Sequence, residues 1–352
     1  MKVSMPSGRA HGWGIAGNYL TSEIAKLPLI EGVTLHCISG HDFRPMNPAE
    51  WNKINIGYCF FENDIEALRH TRRAAREWDF IVAGSSWCEY QLRIGGVRHT
   101  STILQGIDPV NFHYLPMRPD DGRFIVFSGG KFEYRKGQDL VMAAMRVFMQ
   151  RHHDVYLACS WMNLWPFSLA TMTQSPYIEF HPTDDECLTI LQRTLEQNGI
   201  PAERVYLAPL IDNTVIRQIY QQTDIGIFPN RCEGGNNMVM CEYMACGRTV
   251  IASDATGHAD IISPSNAFAL TAYSPILASD AAGQPAGIWH EPSVDELLEK
   301  LELAYQNRDL CQQKGLVAAN DMKRLAWDKA AREFHSIGAR LACRAMDSFG
   351  HQ

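Results

Sequence analysis

At 352 residues the chain exceeds what one hydrophobic core ordinarily serves, so two domains are expected. Its 46% hydrophobic and 20% charged residues describe a folded globular protein, and no apolar run is long enough to cross a bilayer. A formal net charge of −7 excludes a general nucleic-acid binder, which needs a basic excess to neutralise phosphates.

Pro6 and Gly8 interrupt the N-terminus before a signal-peptide core can form, which makes the cytoplasm the expected location. Strands are then expected at 2–5, 33–39, 54–60, 80–83 and 100–104, with helices at 17–27, 65–77 and 88–95. The segment 113–124 (HYLPMRPDDGRF) carries two prolines and an Asp-Asp-Gly turn, and it reads as an interdomain linker. A second series follows: strand 124–128, helix 137–150, strand 155–160, helix 184–197, strand 205–208 and helix 214–222. Strand 225–228, helix 238–246 and strand 249–252 complete it, 279–287 reads as a surface loop, and helical sequence runs from 293 to the end with breaks near Asn307 and around Leu325–Trp327. Strands alternating with helices in this way predict an α/β protein with parallel sheets. The ten cysteines are scattered without any C-x-x-C pair, so they are read as reduced thiols acting as small buried hydrophobes.

Ligands of such sheets bind beyond the carboxyl ends of the strands, and three unusual segments lie there. GGKFEYRKG (129–137) combines glycines with Lys131, Arg135 and Lys136 just before a helix. Mobile cations, backbone N–H groups and the positive end of a helix suit a diphosphate. NRCEGGNNMVMCEYMACG (230–247) places Glu233 before a loop formed by Gly234, Gly235, Asn236 and Asn237, with Met238 opening a helix that contains Glu242. The neighbours of Glu242 are so apolar that the helix should be buried, and a buried carboxylate needs a partner. The cis-diol of a ribose would supply one. HGWGIAG (11–17) contains Gly12, Gly14 and Gly17 as G-x-G-x-x-G, but the second strand ends at Ile38–Gly40 with Asp42 only beyond it, so a nicotinamide cofactor is not the favoured reading. A glycine turn beside a ligand cleft, with His11, is the better reading. The acid pairs Asp120–Asp121 and Asp184–Asp185 read as turn and cap residues rather than metal ligands. In helix 65–77, Arg69, Arg72, Arg73 and Arg76 cluster on part of one surface beside Glu66 and Glu77, which reads first as a solvated face and alternatively as a contact for an anionic membrane or polymeric acceptor.

The segment 124–253 resembles the nucleotide-sugar domain of retaining GT-B glycosyltransferases of the large family-4 class, glycosyl transferases group 1. Gly130, Lys131, Lys136 and Gly137 match that family's strand–glycine–cation–Lys-Gly pattern, and CEYMACGRTVIAS (241–253) matches its later acidic-loop ending. GYCFFEND (57–64), SSWCEYQLRIGGV (85–97), ILQGIDPVNF (103–112) and Trp327 are also similar to this class. The resemblance implies two Rossmann-like domains facing a cleft: 1–117 on the acceptor side, 118–325 holding the nucleotide sugar, and 326–352 as a helix crossing back to the first domain. It implies transfer of a sugar from a UDP- or GDP-type donor to a glycan, lipid-linked or small hydroxyl acceptor, with retention and without a metal or other cofactor, as in polysaccharide biosynthesis. Related enzymes visit the inner membrane surface, so a peripheral location there is also implied.

In that reading Glu233, Lys136, Lys131 and Glu62 are catalytic. Gly130, Lys131, Arg135, Lys136, Gly234, Gly235, Asn236, Asn237, Met238 and Glu242 bind the donor, and His11, Gly12 and Gly14 line the acceptor side. The loop between Glu233 and Glu242 is one residue longer than the family pattern, Lys131 stands where an arginine is usual, and Glu62 stands where many relatives have a histidine. The alternatives are a nucleotide-sugar epimerase on the same fold, a non-catalytic binding or scaffold protein, and a nicotinamide-dependent oxidoreductase.

Overall fold

The computed structural model describes residues 1–9, 11–47, 50–163, 166–280 and 282–349. Ala281, inside the expected surface loop, and the last three residues of the expected C-terminal helix lie outside these. The chain divides into two compact units. Unit 1 comprises Met1–Asp108, Gly234–Met238 and Arg324–Gln352; unit 2 comprises Pro109–Glu233 and Val239–Lys323. Among the described residues, no helix is long and apolar enough to cross a membrane.

Unit 1 is built on β1 (Lys2–Ser4), β2 (Val33–Cys37), β3 (Ile54–Cys59), β4 (Phe80–Ala83) and β5 (Thr100–Thr102), paired in that order and all parallel. Every residue of β2 and β3 is buried, as expected for parallel strands covered on both faces. Helix α1 (Gly12–Ile24) follows β1, α2 (Asp64–Glu77) follows β3 and α3 (Ser86–Ile94) follows β4. The start of α1 corrects the sequence reading, which put the helix at residue 17. His11 caps it with Nδ1 accepting the Gly14 N–H at 3.0 Å, so the three glycines are helical rather than a turn.

Unit 2 carries β6 (Phe124–Gly129), α4 (Gln138–Arg151), β7 (Val155–Ser160), α5 (Pro166–Leu169), α6 (Cys187–Gln197), β8 (Val205–Leu207), α7 (Arg217–Gln221) and β9 (Ile225–Phe228). Then come α8 (Met238–Ala245), β10 (Thr249–Ser253), β11 (Phe268–Leu270), β12 (Tyr273–Ser279), β13 (Pro285–Pro292), α9 (Val294–Gln306) and α10 (Arg308–Met322). Six strands form a parallel sheet in the order β11-β10-β9-β6-β7-β8. The order reverses between β6 and β9, which is the doubly wound arrangement. The hairpin β12–β13 corrects a second expectation: part of the segment read as a loop is paired strand, forming a separate two-stranded sheet. Its three prolines, Pro275, Pro285 and Pro292, masked the strand pattern.

The last helix, α11 (Trp327–Phe349), returns to unit 1. Trp327, Ala330, Ala331, Phe334 and Ile337 are buried in one cluster with Ile15, Ala16 and Leu20 of α1 and Val33, Leu35 and Tyr58 of the sheet. Trp327 stacks on Tyr19 at 5.5 Å with a 7° interplanar angle, and the Ile107 N–H donates to the Leu325 carbonyl at 2.6 Å. Of the ten cysteines, all free, eight are buried, Cys187 is half-buried and Cys343 is exposed. Because Phe334 is 1% exposed within this cluster, Phe334→Ala should destabilise the chain by about 3–5 kcal/mol in urea unfolding monitored by tryptophan fluorescence.

Candidate active site

At the point where strand order reverses in unit 2, β6 and β9 run side by side, with Val126 opposite Ile225 and Phe127 opposite Gly226. The loops leaving their carboxyl ends, 130–137 and 229–233, therefore emerge together where a doubly wound sheet binds its ligand. Gly130 and Gly137 both have positive φ, 109° and 74°. A side chain at Gly137 would also meet the Pro229 carbonyl at 2.2 Å, so the glycine is what lets the two loops touch. A 3₁₀ turn, Tyr134–Lys136, then delivers the chain into α4.

Arg231 joins the two loops. Its side chain is wholly buried, and its N–H donates to the Arg135 carbonyl at 2.8 Å. Nη1 donates to the Tyr134 carbonyl at 2.5 Å, Nη1 and Nη2 grip Asp139 at 2.8 and 2.7 Å, and Nε reaches Glu291 at 2.9 Å. The guanidinium also lies 3.7 Å from the Tyr134 ring centroid. A charge buried this deeply is tolerable only because every side of it is answered.

Five charged groups form a chain across the loops. Lys131 Nζ meets Glu133 Oε1 at 2.7 Å, and Glu133 Oε2 meets Arg135 Nη2 at 3.2 Å. Arg135 Nη1 reaches Glu233 Oε2 at 3.2 Å, and Lys136 Nζ reaches the same oxygen at 2.6 Å. Asn230 Nδ2 donates there as well, at 2.6 Å. The Glu233 N–H donates to Thr256 Oγ1 and its carbonyl accepts the Gly257 N–H, which fixes the backbone. Burial pushes the Glu233 carboxyl up, but Lys136 and Arg135 outweigh it and hold the group at about 2. Burial likewise opposes ionisation of Glu133, and Arg135 with Lys131 keeps it below its usual range. Burial pulls the Lys136 ammonium down, and Glu233 opposes that shift. His258, fully buried near Glu233, is pulled down by burial to about 4.

Glu242 lies buried on α8, as its apolar neighbours predicted, with Oε1 accepting from Asn213 Nδ2 at 2.9 Å. Residues 234–238 have their neighbours in unit 1. The Gly234 N–H donates to Glu62 Oε1 at 3.3 Å, and its carbonyl accepts from Ser85 Oγ at 2.7 Å. Asn236 and the Gln105 backbone exchange two hydrogen bonds, each 3.0 Å. Gly235 packs beside Phe60, Asn237 adopts φ 51°, and Met238 joins the apolar cluster under α11. His11 is the α1 cap, Gly12 borders open space, and Gly14 leaves room for Gly8 and His11, 2.8 Å from where its Cβ would be. On α2, Arg69 pairs with Glu66 and Arg73 with Glu77, while Arg72 and Arg76 are exposed.

The structure thus brings Lys131, Arg135, Lys136 and Glu233 together, with Gly130 and Gly137 shaping their loop. Asp120 and Asp121 do sit in a turn, taking the Gly122 N–H and the Arg118 and Arg123 side chains. Asp184 and Asp185 precede α6, where Asp185 holds Thr183 and Arg193. Sequence reasoning passed over Glu133, Asp139, Asn213, Asn230, Arg231 and His258. Arg231, Glu133 and Asn230 lie inside the motifs already singled out, and a buried arginine beside a buried aspartate leaves no periodic signal.

Residues 184–284 match the family model described as glycosyl transferases group 1. No curated protein sequence matches the chain. Among solved structures, a sucrose-phosphate synthase from Thermosynechococcus elongatus is similar over 94% of this chain and 79% of its own, at 15% identity and a TM-score of 0.64. Anabaena HepE, solved with UDP-glucose, is similar over 82% and 72%, at 15% identity and a TM-score of 0.59. A glycosyltransferase from Rickettsia africae is similar over 96% and 83%, at 13% identity and a TM-score of 0.59.

The lowered His258 value has a consequence for stability. An unfolded histidine takes up its proton near 6.5, whereas this one stays neutral until about 4, so folding is favoured above 6.5 and loses support as pH falls through that window. Urea unfolding should show about 2 kcal/mol lost between pH 7 and pH 5, and His258→Asn should flatten that slope. The topology and the similarity to these structures give the chain the GT-B fold, and within it residues 184–284 resemble the glycosyl transferases group 1 family.

Proposed function

We propose that the chain transfers a hexose from a nucleoside-diphosphate sugar to a hydroxyl of a glycan, lipid-linked or small acceptor, with retention at the anomeric carbon. The single observation that carries this reading is the meeting of Lys131, Arg135, Lys136 and Glu233 where β6 and β9 diverge. Cleaving the sugar–phosphate bond places negative charge on the departing diphosphate, and preorganised cations in a partly dry site stabilise it without a metal. Glu233, held ionised, faces the opposite need, because the sugar gains oxocarbenium character as the bond breaks. Glu242, on the buried α8, takes the ribose hydroxyls in place of its bond to Asn213.

Unit 2 serves the donor in this reading and unit 1 the acceptor, with His11, Gly12, Gly14 and Glu62 at the carboxyl ends of unit 1 strands. HepE was solved with UDP-glucose, which makes a UDP-type donor the first to try, with GDP-type donors next. Cytoplasmic transfer follows from such donors. A peripheral membrane contact for polysaccharide or lipid-linked acceptors rests on exposed Arg72 and Arg76, because Arg69 and Arg73 are answered within their own helix.

Calorimetric titration with UDP, GDP and ADP and their sugars should give a saturable signal for at least one nucleotide. Lys136→Met should cut turnover at least tenfold, since a charge-assisted contact is worth about 1.5–3 kcal/mol. Equal turnover in that variant would remove the diphosphate from this site, and silence towards every nucleotide would favour a scaffold. Glu242→Gln should weaken nucleotide affinity severalfold; unchanged affinity would return Glu242 to a structural role.

A further inference from the structure

We propose that Glu133 is an internal counter-anion that competes with the diphosphate for Lys131 and Arg135, and so limits how tightly the site retains a nucleoside diphosphate. The inference rests on the donor reading above and adds a role for a residue which that reading does not use. Glu133 lies between the two cations in sequence, at the entrance of the 3₁₀ turn, and its two oxygens are divided between them: Oε1 on Lys131 and Oε2 on Arg135. It is 6% exposed and its backbone N–H is held by Gln138 Oε1, whose own Nε2 donates to the Lys131 carbonyl at 2.7 Å. The carboxylate is therefore built into the loop. One anion with two acceptor oxygens spanning two cations does what a phosphate would do there.

The charge balance gives this a direction. Lys131, Arg135 and Lys136 face two carboxylates, Glu133 and Glu233, so the five groups keep a single net positive charge for a ligand carrying several negative ones. Like charges near a bound anion weaken it, and a site this poorly exposed screens them little. The product is hit harder than the donor. When the sugar leaves, the oxygen that bonded it becomes a further ionisable phosphate oxygen, so the free nucleoside diphosphate carries more negative charge than the sugar-linked form. Glu133 thus discriminates against the spent nucleotide and reclaims Lys131 and Arg135 as it departs.

Glu133→Gln keeps the shape and removes the charge. Calorimetry with UDP, GDP, ADP and UDP-glucose on the wild-type chain and this variant tests the idea directly. The variant should bind the diphosphate that the wild type accepts about tenfold more tightly, and should gain less for the matching nucleotide sugar. Product inhibition of turnover should strengthen in parallel, which a purely structural glutamate would not produce. Glu133→Asp, too short to span both cations, should fall between the two, and it decides the matter if circular dichroism shows the glutamine variant unfolded. Unchanged or weaker diphosphate binding in the folded variant overturns this inference alone. A wild-type chain that binds none of the nucleotides overturns the donor reading, and this inference with it.

Discussion

A single buried guanidinium holds the candidate site together. Arg231 stands on the loop after β9, yet it spends its donors on Tyr134 and Asp139 of the neighbouring loop and helix and on Glu291 of the hairpin strand β13. Removing one partner of such a buried pair leaves an unanswered charge, at a cost of about 3–5 kcal/mol. Through its backbone and side chain, Arg231 also fixes the carbonyls of Arg135 and Tyr134. The positions of Arg135 and Lys136 relative to Glu233 follow from that attachment. This gives the hairpin β12–β13 a purpose despite its isolation from either parallel sheet: it supplies Glu291, and the His290 N–H bonds to the Arg231 carbonyl.

The charges around this anchor nearly balance one another. Three cations and two carboxylates, all but Lys131 largely buried, satisfy each other at 2.6–3.2 Å. Such a cluster is tolerable because no charge in it stands alone. It is also poised for exchange, since an anion with more oxygens than a carboxylate can take over the same donors. Neutral His258 beside Glu233 fits that economy: a further proton there would upset the balance at ordinary pH.

Much of the fold was legible because its signals are local. Parallel strands buried on both faces read as short apolar runs, and helices between them show a 3.6-residue period, so nearly every main-sheet strand was placed within a residue or two. Where the reading failed, the cause was a competing local rule. His11 capping moved the start of α1 ahead of its glycines, and three prolines hid a two-stranded hairpin that has no sheet to join. The apolar neighbours of Glu242 announced its burial, but nothing in the sequence named Asn213 as its partner.

The sequence by itself determined the α/β class, the two-domain organisation as an expectation, and the grouping of glycines with cations after one strand and of carboxylates after another. These are properties of neighbouring residues, set by backbone freedom, propensity and periodicity. Only the tertiary structure decided which carboxylate answers which cation. Lys136 and Glu233 are 97 residues apart, and Arg231 and Asp139 are 92 apart. Such pairs meet only because β6 and β9 lie adjacent where the strand order reverses. Likewise, Glu62 and Gly234, 172 residues apart, are joined by folding and not by any pattern along the chain.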